Sequence, residues 1–423
     1  MESIGRAIQS AIYRAGVFGH RPTVPVEPAA LEAAARKAMS PRAWSYVNGS
    51  AGQQRTDRAN TEAFYDHRIV PRMLVDVEER DLSVDLFGTT LPAPVLLAPI
   101  GVLEMAHREA EHAVARAARA LGLAMIHSTQ ASVPMEQVAA ALGPNPHWYQ
   151  LYWSRDDELA ASLVARAEEC GAQALVVTLD THLLGWRTRD LDLAHLPFAQ
   201  GQGIAQYTSD SRFAAMTRER ANTPRTERDP RPTPAAVRSV LSQVRRYPGD
   251  VRTNLRSGLP RAAVETFLDT FSRSTLTWKD LEWLRSRTSL PIVLKGLQHP
   301  DDARLAIEHG VDGIVVSNHG GRQIDGAIAS LDALPPIVDV VDGRVPVLFD
   351  SGIRSGADVF KALALGADSV LVGRPWVYGL ALAGADGAQA VLEHILAELD
   401  LTMGLAGVRS ISEITRDTLS PVE

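Results

Sequence analysis

The stretch Ser317-Asn318-His319-Gly320-Gly321-Arg322-Gln323 sets a proton acceptor and a carboxylate-binding fork close together. Histidine accepts a proton near neutral pH, and the guanidinium fork of arginine matches a carboxylate. Gly320 and Gly321 carry no Cβ, so the backbone can approach a flat ligand while His319 and Arg322 project to one side. A pocket holding both suits an acid that also gives up a proton. Taken alone, the same residues fit a glycine-rich turn with a solvated His and Arg. What decides between the two is the element that carries them. Ile314-Val315-Val316, just before, has the β-branched pattern of a strand covered on both faces.

That strand belongs to a repeating rhythm. Apolar strands are expected at 94–99, 123–127, 147–152, 174–180, 291–295, 313–317, 345–350 and 369–372, each followed by a helical pattern. Strands alternating with helices indicate a parallel sheet. Eight of them close naturally into a (β/α)8 TIM barrel, and no Gly-x-Gly-x-x-Gly of a doubly wound fold follows Leu97. Residues 1–90 read as an N-terminal helical arm packing on the barrel, and 91–423 as the barrel itself. The rhythm stops over residues 190–275, a long insert after strand 4 that reads as a lid, an interface or disorder, with part of Arg218 to Arg256 expected to be mobile. An interruption is expected at Pro335-Pro336 in the helix after strand 6.

In such a barrel the site is built at the C-terminal ends of the strands. Those ends carry Ala98-Pro99-Ile100, Ser128, Gln150 with Tyr152, Thr178 with Asp180, Lys295, and Ser317 with His319 and Arg322. After strands 7 and 8 come Asp350-Ser351-Gly352-Ile353-Arg354 and Gly373-Arg374, where barrels often hold a phosphate on exposed backbone N–H groups and cations. So many polar groups at one rim favour an enzyme over a non-catalytic scaffold. Lys295, preceded by Val293 and Leu294, needs an anionic partner; a reduced flavin edge or a Schiff-base substrate would both serve. Tyr46, at the end of a helix starting at Pro41, lies beside the small-residue break 48–52.

Composition narrows the classes. The net charge is −7 with 22% charged residues, which offers no general attraction to nucleic acid or an anionic membrane. The hydrophobic fraction of 45% is ample for a core, and no window reaches the ~18 consecutive apolar residues of a membrane span. Cys170 is the only cysteine, so no intrachain disulfide, multi-cysteine metal site or covalent c-type haem is expected, and no metal ligand set stands out. It reads as a buried structural thiol. The N-terminus has no apolar core of signal-peptide length, and a cytoplasmic protein is expected.

Ser317 to Gln323, Asp350-Ser351-Gly352-Ile353-Arg354-Ser355-Gly356 and Val372-Gly373-Arg374-Pro375 together resemble the signature of the FMN-dependent 2-hydroxy-acid oxidase and dehydrogenase family. Residues Leu179 to Leu191 and Lys295 to Arg304, with the long insert, resemble its lactate 2-monooxygenase branch. The resemblance implies FMN as cofactor, a small 2-hydroxy acid and oxygen as substrates, and a homo-tetramer or homo-octamer. It implies that His319 is the base, Asp180 its partner, and Lys295 the cation beside the flavin. Tyr46, Tyr152, Arg187 and Arg322 would bind substrate. Ala98, Pro99, Ile100, Ser128, Gln150, Thr178 and Ser317 would surround the flavin ring and ribityl chain, with Asp350, Gly352, Arg354, Gly373 and Arg374 at the phosphate end. Oxidative decarboxylation of lactate to acetate, CO2 and water is the activity implied first; an oxidase releasing keto acid and hydrogen peroxide, including one acting on mandelate, is the alternative. Two departures stand out: Gln54 where a glutamate is usual, and Trp186-Arg187 where many members carry two arginines.

Overall fold

Short runs of Val, Leu and Ile bounded by Gly, Pro and Asp give strands too apolar to leave either face in water. In the computed structural model, which describes residues 3–223 and 233–421, eight such strands lie parallel. They are β1 (Val95–Leu97), β2 (Met125–Ser128), β3 (His147–Leu151), β4 (Leu175–Thr178), β5 (Ile292–Leu297), β6 (Gly313–Val316), β7 (Val347–Asp350) and β8 (Ser369–Val372). Each pairs with its sequence neighbours and β8 pairs with β1, closing the barrel. Every strand residue is buried except Gly296, which is partly exposed. The (β/α)8 expectation therefore holds.

Two apolar layers follow from the alternation of side chains. Leu96, Ile126, Trp148, Val176, Val293, Val315, Leu348 and Leu371 fill the interior, while their sequence neighbours face the surrounding helices. An antiparallel hairpin, Val84–Leu86 with Thr89–Leu91, plugs the N-terminal end by adding Leu86 and Leu91 to the interior cluster; Phe87 meets Trp148 edge-on at 5.3 Å. With the bottom sealed and the interior filled, only the C-terminal rim can hold a ligand. Sequence patterning missed this hairpin because its strands are three residues long.

The arm covers that rim. Helices Pro41–Asn48 and Arg55–Glu62 bring Tyr46 and Asn60 over the barrel mouth, while helix Ile4–Val17 lies on the C-terminal helix Arg374–Ala406, where Asp400 accepts from Gly5 N at 2.9 Å. Strand His67–Ile69 pairs with Leu419–Pro421. The arm is locked to the histidine loop by a reciprocal amide pair: Asn60 Nδ2 donates to Asn318 Oδ1 at 2.8 Å and Asn318 Nδ2 to Asn60 Oδ1 at 2.6 Å.

Three expectations are corrected. The insert is largely helical: Thr188–Asp192, Ala205–Thr208, Ser211–Asn222, Pro234–Arg246, Val251–Ser257 and Leu259–Thr270. Its apolar residues sit at helical spacing instead of in runs: Phe213, Val244 and Phe267 are buried residues of Ser211–Asn222, Pro234–Arg246 and Leu259–Thr270 respectively. The mobility expected within Arg218 to Arg256 falls partly on 224–232, which lie outside the described residues. The helix Ser330–Val341 runs through Pro335 and Pro336, its buried Leu331, Leu334 and Ile337 outweighing two missing N–H donors. Cys170 caps helix Asp157–Glu169 and is half-buried, not buried; partial burial still pushes its thiol up to about 11, an unreactive state. Among the described residues no helix is long and apolar enough to cross a membrane.

Because Asn60 is fully enclosed and its amide serves Asn318 and Ser330 N, Asn60→Ala strands buried polar groups. A loss of about 1–3 kcal/mol is expected in chemical denaturation. A change below a few tenths would show that the amide pair does not anchor the arm.

Candidate active site

The site starts with a bulge. Register shifts between Lys295 and Leu297, and Gly296 takes φ 111°; a Cβ there would stand 2.8 Å from Asp180 Cβ. Glycine at this position lets the loop after β4 bring Asp180 against β5 and β6. His319 then completes the contact from a left-handed backbone (φ 59°) that histidine adopts at some cost. Ser317 Oγ holds the strained turn by accepting from His319 N at 3.0 Å.

His319 Nδ1 stands 2.8 Å from Asp180 Oδ1. Burial alone would raise the Asp180 carboxyl, but His319 and Lys295 outweigh it and hold it at about 2, so it is ionised. An ionised acceptor keeps the proton on Nδ1 and leaves Nε2 as the free lone pair. Burial lowers the His319 pKa despite Asp180, so the resting imidazole is neutral at neutral pH. The pair is therefore a base whose protonated form has a counter-ion waiting. Asp180 Oδ2 is buried with no hydrogen-bond partner.

Lys295 is 4% exposed and donates to Asp350 Oδ2 at 2.9 Å and Ser317 Oγ at 2.8 Å. Burial would lower its pKa, but Asp350 and Asp180 overcome that and raise it. A lysine held protonated is a fixed cation and a poor nucleophile, which weighs against Schiff-base chemistry.

Arg187 and Arg322 differ from it in one respect: neither forms an ion pair among the described residues. Arg187, 8% exposed, donates to Arg322 O at 3.3 Å and Gln323 Oε1 at 3.1 Å. Arg322 donates to Tyr46 O and Gly49 O, both at 2.6 Å, and lies 5.2 Å from the Tyr46 ring centre. Burial and the neighbouring Arg187 pull Arg322 down to about 9, still charged at neutral pH. Two cations share one cavity with His319, Tyr46 and Tyr152 and lack an anion. Burial raises the pKa of both tyrosines, Tyr152 to about 12, so both hydroxyls remain available as donors.

The same cavity continues along Ala98-Pro99-Ile100 and Gly373 to Asp350, Gly352 and Arg354. Ser128, Gln150 and Ser317 do not line it and Thr178 lines the neighbouring cavity; Ser128 Oγ donates to Gln150 Oε1 at 2.9 Å, and Gln150 Nε2 donates to Thr178 Oγ1 at 3.0 Å. The Arg354 backbone N–H donates to Asp358 Oδ2 at 2.9 Å, while its guanidinium donates to Ile353 O and forms no ion pair among the described residues. Arg374 lines the cavity, but its guanidinium is engaged by Asp57 at 2.9 Å and by Gly320 O, Val47 O and Ser50 Oγ. The sequence pattern did not anticipate Asp57, Phe198 or Phe271; the two phenylalanines come from the insert and wall the cavity. A larger cavity of about 610 Å³ lies beyond Asp180, lined by Trp153, Trp278 and Leu281, but it contains neither the arginine pair nor Lys295.

A histidine–aspartate pair, two arginines without ion pairs among the described residues and a buried lysine stand together at the mouth of a (β/α)8 barrel, an arrangement whose chemistry suits a carboxylate with a proton to give up beside it. The sequence profile of the FMN-dependent dehydrogenase family matches residues 35–421. An FMN-dependent alpha-hydroxy acid dehydrogenase of Penicillium citrinum, qulF, is 42% identical, covering 97% of this chain and 94% of its own. An L-lactate oxidase of Lysinibacillus sphaericus is 41% identical over 93% of this chain and 92% of its own. Crystalline mandelate oxidase superposes with a TM-score of 0.76 at 35% identity, covering 94% of this chain and 99% of that one. The chain belongs to the FMN-dependent dehydrogenase family, and FMN is its cofactor. The residues present fit that group: the Arg354 guanidinium, without an ion pair among the described residues, would meet a phosphate, the linked Ser128, Gln150 and Thr178 would offer amide and hydroxyl partners, and buried Lys295 would supply a cation.

The His319–Asp180 pair fixes the sign of the pH response. With His319 acting as the base, kcat/KM is expected above its pKa and lost as pH falls through it, with a midpoint below the ordinary histidine value of about 6.5. Asp180→Asn removes the group that holds the pKa up. The acid limb should move to lower pH while kcat drops by roughly 10²–10⁴. An acid limb that stays in place would show that Asp180 does not act through His319.

Proposed function

We propose that this chain oxidises a small L-2-hydroxy acid such as lactate, with oxygen as the final electron acceptor. The observation that carries this reading is the arginine pair without an anion, set beside a neutral histidine. The substrate carboxylate docks on Arg187 and Arg322, with Tyr46 and Tyr152 donating hydrogen bonds. His319 Nε2 then takes the substrate proton, and Asp180 stabilises the imidazolium through Nδ1. FMN, when bound, supplies the two-electron acceptor. Ala98, Pro99, Ile100, Ser128, Gln150, Thr178 and Ser317 shape its ring and ribityl site, and Asp350, Gly352, Arg354, Gly373 and Arg374 its phosphate end. Lys295 would place a fixed positive charge beside the bound cofactor, which would favour its reduced form.

The products depend on how long the keto acid stays enclosed. Phe198 and Phe271 carry the insert into the site, and such a cover favours retention of keto acid and peroxide together, giving acetate, CO2 and water as in a lactate 2-monooxygenase. The second reading, escape of keto acid and hydrogen peroxide, draws on the 41%-identical L-lactate oxidase. The protein works in the cytoplasm as a homo-tetramer or homo-octamer in this reading. The exposed Leu183, Leu184 and Trp186 support a covered face.

Anaerobic L-lactate should bleach the flavin band near ~450 nm, and admission of air should then yield acetate. Pyruvate with stoichiometric peroxide would select the oxidase reading instead. A flavin spectrum untouched by lactate would remove small acids as substrates. Phe271→Ala, which opens the cover, should shift the balance toward peroxide release; an unchanged balance would take the insert out of product control.

A further inference from the structure

Gln323 closes the residue run that carries His319 and Arg322, and nothing above gives it a role. Its amide makes four hydrogen bonds, all to one segment of the loop after β4. Nε2 donates to Asp180 O at 2.5 Å and Leu183 O at 2.9 Å; Oε1 accepts from Gly185 N at 3.4 Å and Arg187 Nη2 at 3.1 Å. The loop lies directly on the backbone of the histidine loop. A Cβ at Gly185 would stand 2.4 Å from Arg322 O and 2.8 Å from Gln323 Cα. One side chain thus joins the base's partner, Asp180, to the carboxylate-binding Arg187.

The charge of that side chain is as telling as its reach. Two cations of the site have a carboxylate of their own, Lys295 with Asp350 and Arg374 with Asp57, whereas Arg187, like Arg322 and Arg354, forms no ion pair among the described residues. Arg187 is oriented by an amide oxygen and a backbone carbonyl only. A glutamate of the same length could reach Arg187 but would neutralise it, and without N–H donors it could not serve Asp180 O and Leu183 O. Only an amide both aims the guanidinium and leaves its charge unspent.

We propose that Gln323 is a positioning residue for the substrate carboxylate: its neutral amide orients Arg187 and keeps that cation uncompensated until the acid binds. This rests on the 2-hydroxy-acid reading above. It deepens that reading by naming what keeps the anion site vacant of protein charge.

The test uses the FMN-loaded enzyme with Gln323→Glu and Gln323→Met. Oxalate, a carboxylate the site cannot oxidise, is titrated against the flavin absorbance for Kd, and L-lactate turnover supplies KM and kcat. Gln323→Glu should raise the oxalate Kd and the lactate KM at least about tenfold, by more than it lowers kcat. Gln323→Met, which loses the bonds but adds no charge, should fall between Glu and wild type. Melting temperature and flavin content control for folding. If Gln323→Glu does not fold, Gln323→Met carries the test: a raised KM with kcat less affected supports positioning, and an unchanged KM overturns it. A Glu variant with Kd within twofold of wild type overturns the proposal, as does a Met variant as impaired as Glu. Wild-type enzyme that binds no oxalate and is not reduced by lactate would overturn the underlying 2-hydroxy-acid reading itself, an outcome distinct from a variant that matches an active wild type.

Discussion

Burying a cation without a counter-charge is costly, because water's solvation is lost and no Coulomb partner replaces it. Arg187 and Arg322 are held side by side without an ion pair among the described residues, their N–H groups met by Arg322 O, Gln323 Oε1, Tyr46 O and Gly49 O, with the Tyr46 ring beside Arg322. Carbonyl oxygens satisfy the N–H groups while leaving the net charge intact. The site is thus stabilised enough to persist and unbalanced enough to attract an anion. Asp180 is committed to His319 and Asp350 to Lys295, and Asp190, whose charge is felt at Arg322, accepts from Ser45 Oγ at 2.7 Å and forms no ion pair with either arginine among the described residues.

Much of the surrounding architecture can be understood as holding this imbalance in place. Three loops converge on it from distant parts of the chain. The arm contributes the carbonyls of Tyr46 and Gly49, and Gly52 N donates to Trp186 O at 2.9 Å while Ala51 N donates to Gly321 O at 2.9 Å. The bulge at Gly296 admits Asp180, and the positive φ of His319 turns its ring back toward that carboxylate. The rigid, sealed barrel below is what makes such strain affordable: the eight strands set where each loop begins, so loop conformation is over-determined from both ends.

The eight strands were legible because buried parallel strands leave an unmistakable pattern, continuous Val, Ile and Leu runs ending in polar residues. Their ends then pointed to the rim, and the Ser317–Gln323 run pointed to the chemistry. The strand ends bring His319, Lys295 and Arg322 to one rim, whereas Arg187 enters only through the family resemblance. Other features depend on partners far apart in sequence and leave no local trace. The Asp57–Arg374 pair is one, and the four bonds of Gln323 to residues 180–187 are another. The insert was read as irregular because an amphipathic helix rich in Arg, Thr and Ser shows its apolar face only as spaced single residues. That same spacing hid Phe198 and Phe271, which reach the site from helices the pattern did not resolve.

In the proposed reading, attraction between Arg187, Arg322 and a carboxylate selects the substrate, so the most direct measurement removes only the substrate's charge. Anaerobic flavin reduction by L-lactate is compared with reduction by L-lactamide, which keeps the hydroxyl, the α-hydrogen and nearly the same shape. Reduction by the amide should be at least about a hundredfold slower at equal concentration. Equal rates would mean that Arg187 and Arg322 are not the carboxylate site.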